Sequence, residues 1–287
     1  EDSSEIGRSF IHSISKVCKS ITIDNEHLDL DLRCSGHISA GELILNSNGK
    51  SSLIIRVSGD AGWAGIRITG EVKGTLSVAL INDLAEDSHL LRCEDWSVGR
   101  DSSLEISTLS VGGFLNKSDI RIDLALNGAE VRGGIASNGH NSRHDDHHIE
   151  IQHSVGHTNS SLVMHASCGD SSHSVGTGLL TICEGADGSD AGQVFRNLLL
   201  SEKARAEAIP ELEVLADDVK AAHGAASAPV DPNQIHYLAS RGLNFDEASS
   251  LIIEGFLMDA FSQVKNKEVV EALRTRLLVH LECLIKR

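Results

Sequence analysis

The sequence predicts a mainly β chain that ends in a short helical segment. Apolar and polar residues alternate over most of the first 180 residues, and clusters of Gly, Asn, Asp and Ser interrupt that alternation at short intervals. After Pro229 the apolar spacing becomes that of helices. The chain has 287 residues, enough to bury a sizeable core, and only 3% are aromatic, so that core has to be aliphatic. A usage of 26 Gly against 3 Pro suits many short strands joined by tight turns.

Residues 1–20 are set apart as an N-terminal segment and residues 21–228 as the β core. Alternation begins at Ile21 and Ile23 and continues through Leu28, Leu30 and Leu32, then Leu53, Ile55 and Val57, then Leu76, Val78 and Leu80. It resumes at Leu104 and Ile106, at Ile120, Ile122 and Leu124, and at Ile149 and Ile151. Successive side chains of a strand point to opposite faces, so each run offers one apolar face. Turn residues such as Asn46-Ser-Asn-Gly-Lys separate the runs. A sandwich or barrel would bury these faces against each other. A solenoid would instead stack each strand on its counterpart in the next coil. No repeat of fixed length is present, so the pattern alone leaves both architectures open.

Residues 229–287 read as three helices. Asp231 can cap the first, Pro232 suits its first position, and Gln234 falls where a capping box would place it. Gly242 ends that helix. Asn244 or Phe245 opens the second, with Ala248, Leu251, Ile252, Gly255, Phe256 and Ala260 on one face. The third runs from about Asn266, with Val270, Leu273, Leu277, Leu281 and Leu284 as a narrower stripe.

Charge and motifs exclude several functions. A formal charge of −16 without a basic patch argues against nucleic-acid binding. No apolar run is long enough for a membrane-spanning helix. The sequence opens on Glu1 rather than Met, which leaves a trimmed segment or leader open. Cys18, Cys34, Cys93, Cys168, Cys183 and Cys283 are widely and irregularly spaced, the pattern of scattered reduced thiols in a cytoplasmic protein. The Gly-rich stretches at 128–134 and 185–190 lack the Gly-Lys-Ser/Thr ending of a phosphate loop, so no ATP hydrolysis is expected of this chain. No nucleophile elbow is visible. The one dense group of metal-capable side chains is His144-Asp-Asp-His147-His148-Ile-Glu150, followed by His153 and His157. Imidazoles and carboxylates at such spacing can converge on zinc or iron, with His147 and His148 as ligands; the competing reading is the polar outer face of a sheet, with some imidazoles hydrogen-bonded inside.

A longer set of motifs points further. Ser118-Asp-Ile-Arg-Ile-Asp-Leu-Ala-Leu-Asn-Gly-Ala-Glu, the His144–His148 group and His157-Thr-Asn-Ser come first. Gly178-Leu-Leu-Thr-Ile, Gln193, Arg196-Asn-Leu-Leu-Leu-Ser, Pro210-Glu-Leu-Glu and His223-Gly-Ala follow, and then Gln234-Ile-His-Tyr237-Leu-Ala-Ser-Arg-Gly242. In that order, from about Arg100 to Phe261, they resemble the signature of the SufB/SufD family of iron–sulfur cluster assembly scaffolds.

The resemblance implies a right-handed parallel β-helix with a C-terminal helical segment. It implies a non-catalytic scaffold that works with a SufC-like ABC ATPase, the partner that hydrolyses ATP. Pairing through the last coils is implied too, as a homodimer or as a heterodimer with a SufB-like chain. Any iron–sulfur cluster would be held transiently at that interface, with no stably bound cofactor. By the same resemblance His223 and Glu213 lie at the cluster assembly interface, His223 being the candidate iron ligand. Leu251, Ile252, Gly255 and Phe256 would receive the ATPase. The chain departs from SufB-like members at two positions, with Phe195 where they carry Cys and Gly224 where they carry Glu, so it is SufD-like there. The alternative from a different class is a β-solenoid metalloenzyme or hydrolase using the His144–His157 cluster.

Overall fold

A computed structural model describes residues 3–15 and 17–286. Its strands fall into two sheets, numbered here along the chain. One sheet holds β1 (Val17–Asp24), β3 (Ile38–Asn48), β5 (Trp63–Val72), β7 (His89–Val98), β9 (Leu115–Leu124), β11 (His144–His153), β13 (His173–Ile182) and β15 (Arg205–Val214), in that order. The other holds β2 (His27–Cys34), β4 (Lys50–Gly59), β6 (Thr75–Leu84), β8 (Ser103–Ser110), β10 (Glu130–Gly139), β12 (Asn159–Cys168), β14 (Asp190–Leu199) and β16 (Lys220–Pro229). Each strand pairs in parallel with the strand two places away in sequence, as β9, β11 and β13 do. The chain therefore crosses between the sheets at every turn and builds a parallel β-solenoid of about eight coils. A sandwich of hairpins needs antiparallel neighbours, so that alternative is set aside.

The inward side chains stack in rows, one coil on the next. Ile122, Ile151 and Leu180 occupy adjacent rungs of one row, and each is at most 2% exposed. Leu53, Val78 and Ile106 stack likewise in the facing sheet, each at most 3% exposed. The coils are unequal in length. Val17 lies beside Gly41, Leu115 beside His144 and His173 beside Arg205, so the step grows from 24 to 29 to 32 residues. The turns between strands absorb the difference, which is why no fixed repeat is legible in the sequence.

Helices cover the outer faces. Helix α1 (Ser3–Ile14) lies on the odd-numbered sheet, where Ile11 is fully buried. Its Arg8 binds Asp95 at 3.0 Å and Asp119 at 2.7 Å. This helix was not foreseen in the segment 1–20, and the first strand begins at Val17, ahead of the first alternating residue Ile21. On the even-numbered sheet lie α3 (Phe245–Asp259) and α4 (Lys267–Ile285), preceded by α2 (Pro232–Ala239). Ile54, Ala79, Ile81, Leu109 and Ala136 on the sheet's outer face pack against Ile253, Leu257, Phe261, Leu273 and Leu277. β6 and β8 are consequently buried on both faces and lose their alternation, whereas β13 keeps it.

The helix starts follow their caps. Asp231 accepts from Asn233 N at 2.9 Å. The reciprocal capping box forms at α3, between Asn244 and Glu247, rather than at Gln234. Asn266 accepts from Glu268 N and Val269 N at the start of α4. The Glu105 carboxylate, on β8, accepts from Lys265 N, Asn266 N and Ser77 Oγ, which ties the head of α4 to the sheet. The buried side of α4 is Val269, Leu273, Leu277, His280 and Leu281, while Val270 and Leu284 at the edges of the expected stripe are only half-buried.

The corner between α3 and α4 sits directly on β10. A Cβ placed on Gly134 would lie 2.5 Å from the Ala260 carbonyl oxygen and 2.7 Å from a Phe261 ring carbon. Gly134→Ala is therefore expected to push this corner off the sheet and destabilise the protein by about 1–3 kcal/mol. Hydrogen exchange should show protection lost in α3 and α4 while the inward rows of β9 to β13 keep theirs; unchanged protection in both helices would contradict this packing.

Candidate functional site

The last coil has no successor. β16 pairs with β14 alone among the described strands, and every residue of β16 except Gly224 is exposed. Register assigns its faces. Ala221, His223, Ala225 and Ser227 continue the inward row of Ala191, Gln193, Phe195 and Asn197. A side-chain contact agrees: Asn197 Nδ2 donates to Ser227 Oγ at 3.0 Å. Phe195 and Gln193 are each 1% exposed beneath that strand. Beside it, β15 contributes Ala206, Ala208, Pro210 and Leu212 to the same open end, all half-buried.

His223 thus sits on the inward row of a strand that nothing covers, and its imidazole reaches solvent at the mouth of the core. Glu213 lies elsewhere. It pairs with Thr181 on the outward row of β15, so the structure does not bring Glu213 and His223 together. Ile209, Val214 and Leu215 add exposed apolar surface around this end, at 44%, 41% and 58%.

The histidines of β11 do not converge. His147 and His148 are adjacent on one strand and therefore point to opposite faces. His147 is inside the solenoid, 3% exposed, with Nδ1 2.6 Å from Ser118 Oγ. Burial drives its pKa down to about 4, against the pull of Asp145. His148 is on the outer face, where it bonds Thr177 at 2.6 Å and Glu150 at 3.0 Å. His144 meets His173 edge to face on the adjacent rung, 4.9 Å between centroids. His153 is fully buried against Thr158 and Ser160, and burial lowers its pKa to about 4. Among the described residues no group of three or more His, Cys, Asp or Glu side chains is arranged to hold a metal ion. The expectation of a metal site at His147 and His148 is corrected by strand geometry, and the competing reading describes both, His148 on the outer face and His147 hydrogen-bonded inside.

One cluster escaped the sequence reading. Arg92 and Glu94 pair inside the core at 2.7 Å, with Thr108 and Trp96 as further partners. Nearby, Arg143 binds Asp145 at 2.8 Å, and Asp145 accepts from Ser110 and Asn116. Burial alone would raise the Asp145 pKa, but Arg143 outweighs it and holds the carboxyl below its ordinary value. Burial pushes the neighbouring Cys168 thiol up to about 12, so it stays protonated and unreactive. The one available signal was parity: Arg92 and Glu94 share their strand face with Leu90 and Val98.

The second helix turns differently from the expected stripe. Ala248, Ile253 and Leu257 are its buried residues. Phe256 is half-buried; its ring stacks on His165 at 4.6 Å, and its carbonyl accepts from His165 Nδ1 at 2.7 Å. Leu251 and Gly255 face solvent, Leu251 at 47%. Half-buried Ile252 lines a cleft of about 370 Å³ with Asp231, Gln234, Tyr237 and Leu238. The six cysteines are all free. No helix among the described residues is long and apolar enough to cross a membrane.

Comparison with known proteins adds a family. Residues 43–256 match the family model described as SUF system FeS cluster assembly, SufBD core domain. The chain is 28% identical over 249 residues to a SufBD family iron–sulfur cluster assembly protein of Mycobacterium leprae, covering 82% of this chain and 61% of that protein. It is 39% identical over 125 residues to the SufD of Bacillus subtilis and 31% identical over 127 residues to that of Escherichia coli. Those two matches cover 44% of this chain and 28% and 30% of the relatives. The chain thus matches less than two thirds of the length of each of these relatives.

The buried imidazoles set a pH dependence. Above the ordinary value of 6.5, His147 and His153 are neutral in both folded and unfolded states. As pH falls from 6.5 toward about 4, the unfolded chain takes up protons that the folded chain refuses, so stability drops. The expected slope is about 1.4 kcal/mol per pH unit for each ring. Urea unfolding across that window should show the loss, and His147→Gln should remove about half of the slope, leaving the share of His153; an unchanged slope in the variant would refute the assignment.

Proposed function

The chain belongs to the SufBD family of iron–sulfur cluster assembly proteins, and on that premise we propose that it is a scaffold subunit of a cluster assembly complex. The observation that carries the reading is the uncovered last coil, with His223 on the inward row at its mouth. An unpaired strand beside half-buried core needs a cover, because such an edge is a template for pairing with another chain. A second scaffold protomer supplies that cover, either a copy of this chain or a SufB-like chain. The cluster is cargo, built transiently across the interface. His223 offers one imidazole to iron, and the partner supplies the ligands this chain lacks. Phe195, buried beneath Ala225, leaves no ligand at that rung, and Gly224 offers no carboxylate. Glu213, on the outer face of the same end, contributes to the rim rather than to iron.

The helical segment is the docking surface for a SufC-type ABC ATPase. Leu251 and Gly255 face solvent, Ile252 edges the cleft beside α2, and Tyr237 and Phe245 extend the apolar surface at 58% and 68% exposure. Phe256 supports this surface from beneath rather than forming it. The scaffold itself is non-catalytic, and the ATPase supplies hydrolysis. The complex works in the cytoplasm. A metalloenzyme built on the His144–His157 cluster is not favoured, because those side chains are split between the core, the outer face and a turn.

Two substitutions test the reading. His223→Ala removes an exposed side chain and should change unfolding free energy by less than about 0.5 kcal/mol. The same change should lower cluster formation in the anaerobically reconstituted complex at least about tenfold; wild-type cluster yield would leave His223 without an assembly role. Leu251→Asp should abolish co-purification with the co-expressed ATPase while leaving the unfolding midpoint of the solenoid in place. Retained binding would move the docking surface elsewhere.

A further inference from the structure

Helix α3 is held to the solenoid by apolar packing and by one directional contact. Its Ile253 and Leu257 rest on apolar residues of the even-numbered sheet. Such packing has no preferred direction, so it sets the rotation of the helix about its own axis only loosely. That rotation decides which side chains of α3 meet solvent.

His165 supplies the direction. It lies on the outward row of β12, between Ala136 and Arg196 on the adjacent rungs, and is 1% exposed. Its Nδ1 is 2.7 Å from the Phe256 carbonyl oxygen. A carbonyl can only accept, so Nδ1 carries the proton and donates it. The Phe256 carbonyl is open to this donor because the N–H four residues on, at Ala260, bonds the Leu257 carbonyl instead. The imidazole thus takes up one of the carbonyls that the end of a helix leaves over. The two rings also lie nearly parallel, 12° apart in plane and 4.6 Å between centroids. A bond and a stack to the same residue fix both its backbone and its side chain.

With the proton on Nδ1, the other ring nitrogen is bare. Nε2 is buried, meets no hydrogen-bond donor and stands 4.0 Å from Asp259 Oδ2. Burial lowers the pKa of the ring, which keeps it neutral. Asp259 also faces Arg196 Nη1 of β14 at 3.6 Å, but both side chains are more than half exposed, so that pair contributes little. The buried imidazole is the specific fastening.

We propose that His165 is the positioning residue of the docking surface on α3. Through Phe256 it sets the rotation of the helix, so that Leu251 and Gly255 turn outward beside Ile252 and Tyr237 as one surface. This rests on the reading of α3 as the docking site of the ATPase, and adds the residue that holds that site in shape.

The test uses the full chain carrying ¹⁵N-labelled histidine, alone and with the co-expressed ATPase. NMR of the wild-type His165 ring should show one fixed tautomer, with the proton on Nδ1. Asparagine sets its amide nitrogen where Nδ1 stands, whereas glutamine sets its own where Nε2 stands. His165→Gln and His165→Ala should therefore weaken ATPase binding about tenfold, and His165→Asn should recover most of it. Hydrogen exchange should follow the same order, with the last turn of α3 exposed in the Gln and Ala variants and protected in the Asn variant. A wild-type ring that averages between tautomers, or holds its proton on Nε2, overturns the proposal, and that measurement stands even if a variant fails to fold. Equal losses in the Asn and Gln variants overturn it too, since they reduce His165 to bulk. So does wild-type affinity in His165→Gln where Leu251→Asp abolishes binding, an outcome that leaves the docking reading in place. Binding retained in Leu251→Asp removes the docking reading and with it the proposed role of His165, whatever hydrogen exchange shows of the fastening.

Discussion

Every coil of this protein is stabilised by the coil stacked on it. Inward side chains such as Ile122, Ile151 and Leu180 bury against the same row one rung away, not against a distant segment. Hydrophobic stabilisation scales with the area removed from water, so an interior coil gains on two sides and a terminal coil on one. The contrast is plain between β13, whose inward residues are buried, and β16, whose residues are exposed. The location of the candidate site follows from that asymmetry. A stack of this kind must end, and where it ends it offers strand edge, half-buried aliphatic surface and whatever polar groups lie on the inward rows.

Stacking alone does not fix register, because one aliphatic rung resembles the next. A slip of one residue would turn the whole inward row to the outer face. The polar residues of the interior discriminate between such alternatives. Arg92 of β7 bonds Thr108 of β8, and Asp145 of β11 gathers Ser110 of β8, Asn116 of β9 and Arg143. The bonds to Thr108, Ser110 and Asn116 join different coils or different sheets, and a slipped chain would break them and leave the buried charged pairs without those partners. Buried pairs are weak contributors to net stability, since desolvation offsets most of the attraction. Losing one partner is costly, however, and that asymmetry penalises wrong registers more than it rewards the right one.

How much the sequence revealed depended on how local each signal was. Alternation located the strands wherever one face is wet, as in β13. Along β6 and β8 it marked the inward rows at Leu76, Val78, Leu104 and Ile106 but said nothing of the outer face, where α3 and α4 cover Ala79, Ile81 and Leu109 and those residues are apolar for that reason. The helix starts at Asp231, Asn244 and Asn266 were legible because a cap is a matter of a few adjacent residues. Helix α1 was not, because what holds it is Arg8 reaching Asp95 and Asp119 on strands about 90 residues and more downstream. Parallel pairing itself has no local signature: drifting coil lengths hid the repeat, and only the ordered family motifs pointed to the stack. The site was partly legible, as His223 came from one motif. Glu213, expected beside it, lies on another strand and on the outer face, a distinction that needs register.

The histidines show how one side chain takes opposite roles by position in the same stack. His147 and His153 lie on inward rows of interior coils, where burial holds them neutral and removes them from solvent. His148 lies on an outer row and is spent on Thr177 and Glu150. His223 shares the inward orientation of the first pair but lacks the coil that would bury it. Orientation by the row beneath, with access from above, is the combination a ligand needs, because a ring held in place loses less entropy on binding. In a solenoid that combination exists only at an uncovered end. The same imidazole one coil earlier would be a core residue, and on the outer face it would be a surface hydrogen-bonder. The chemistry of the site is therefore set less by which residue the chain carries than by where the stacking stops.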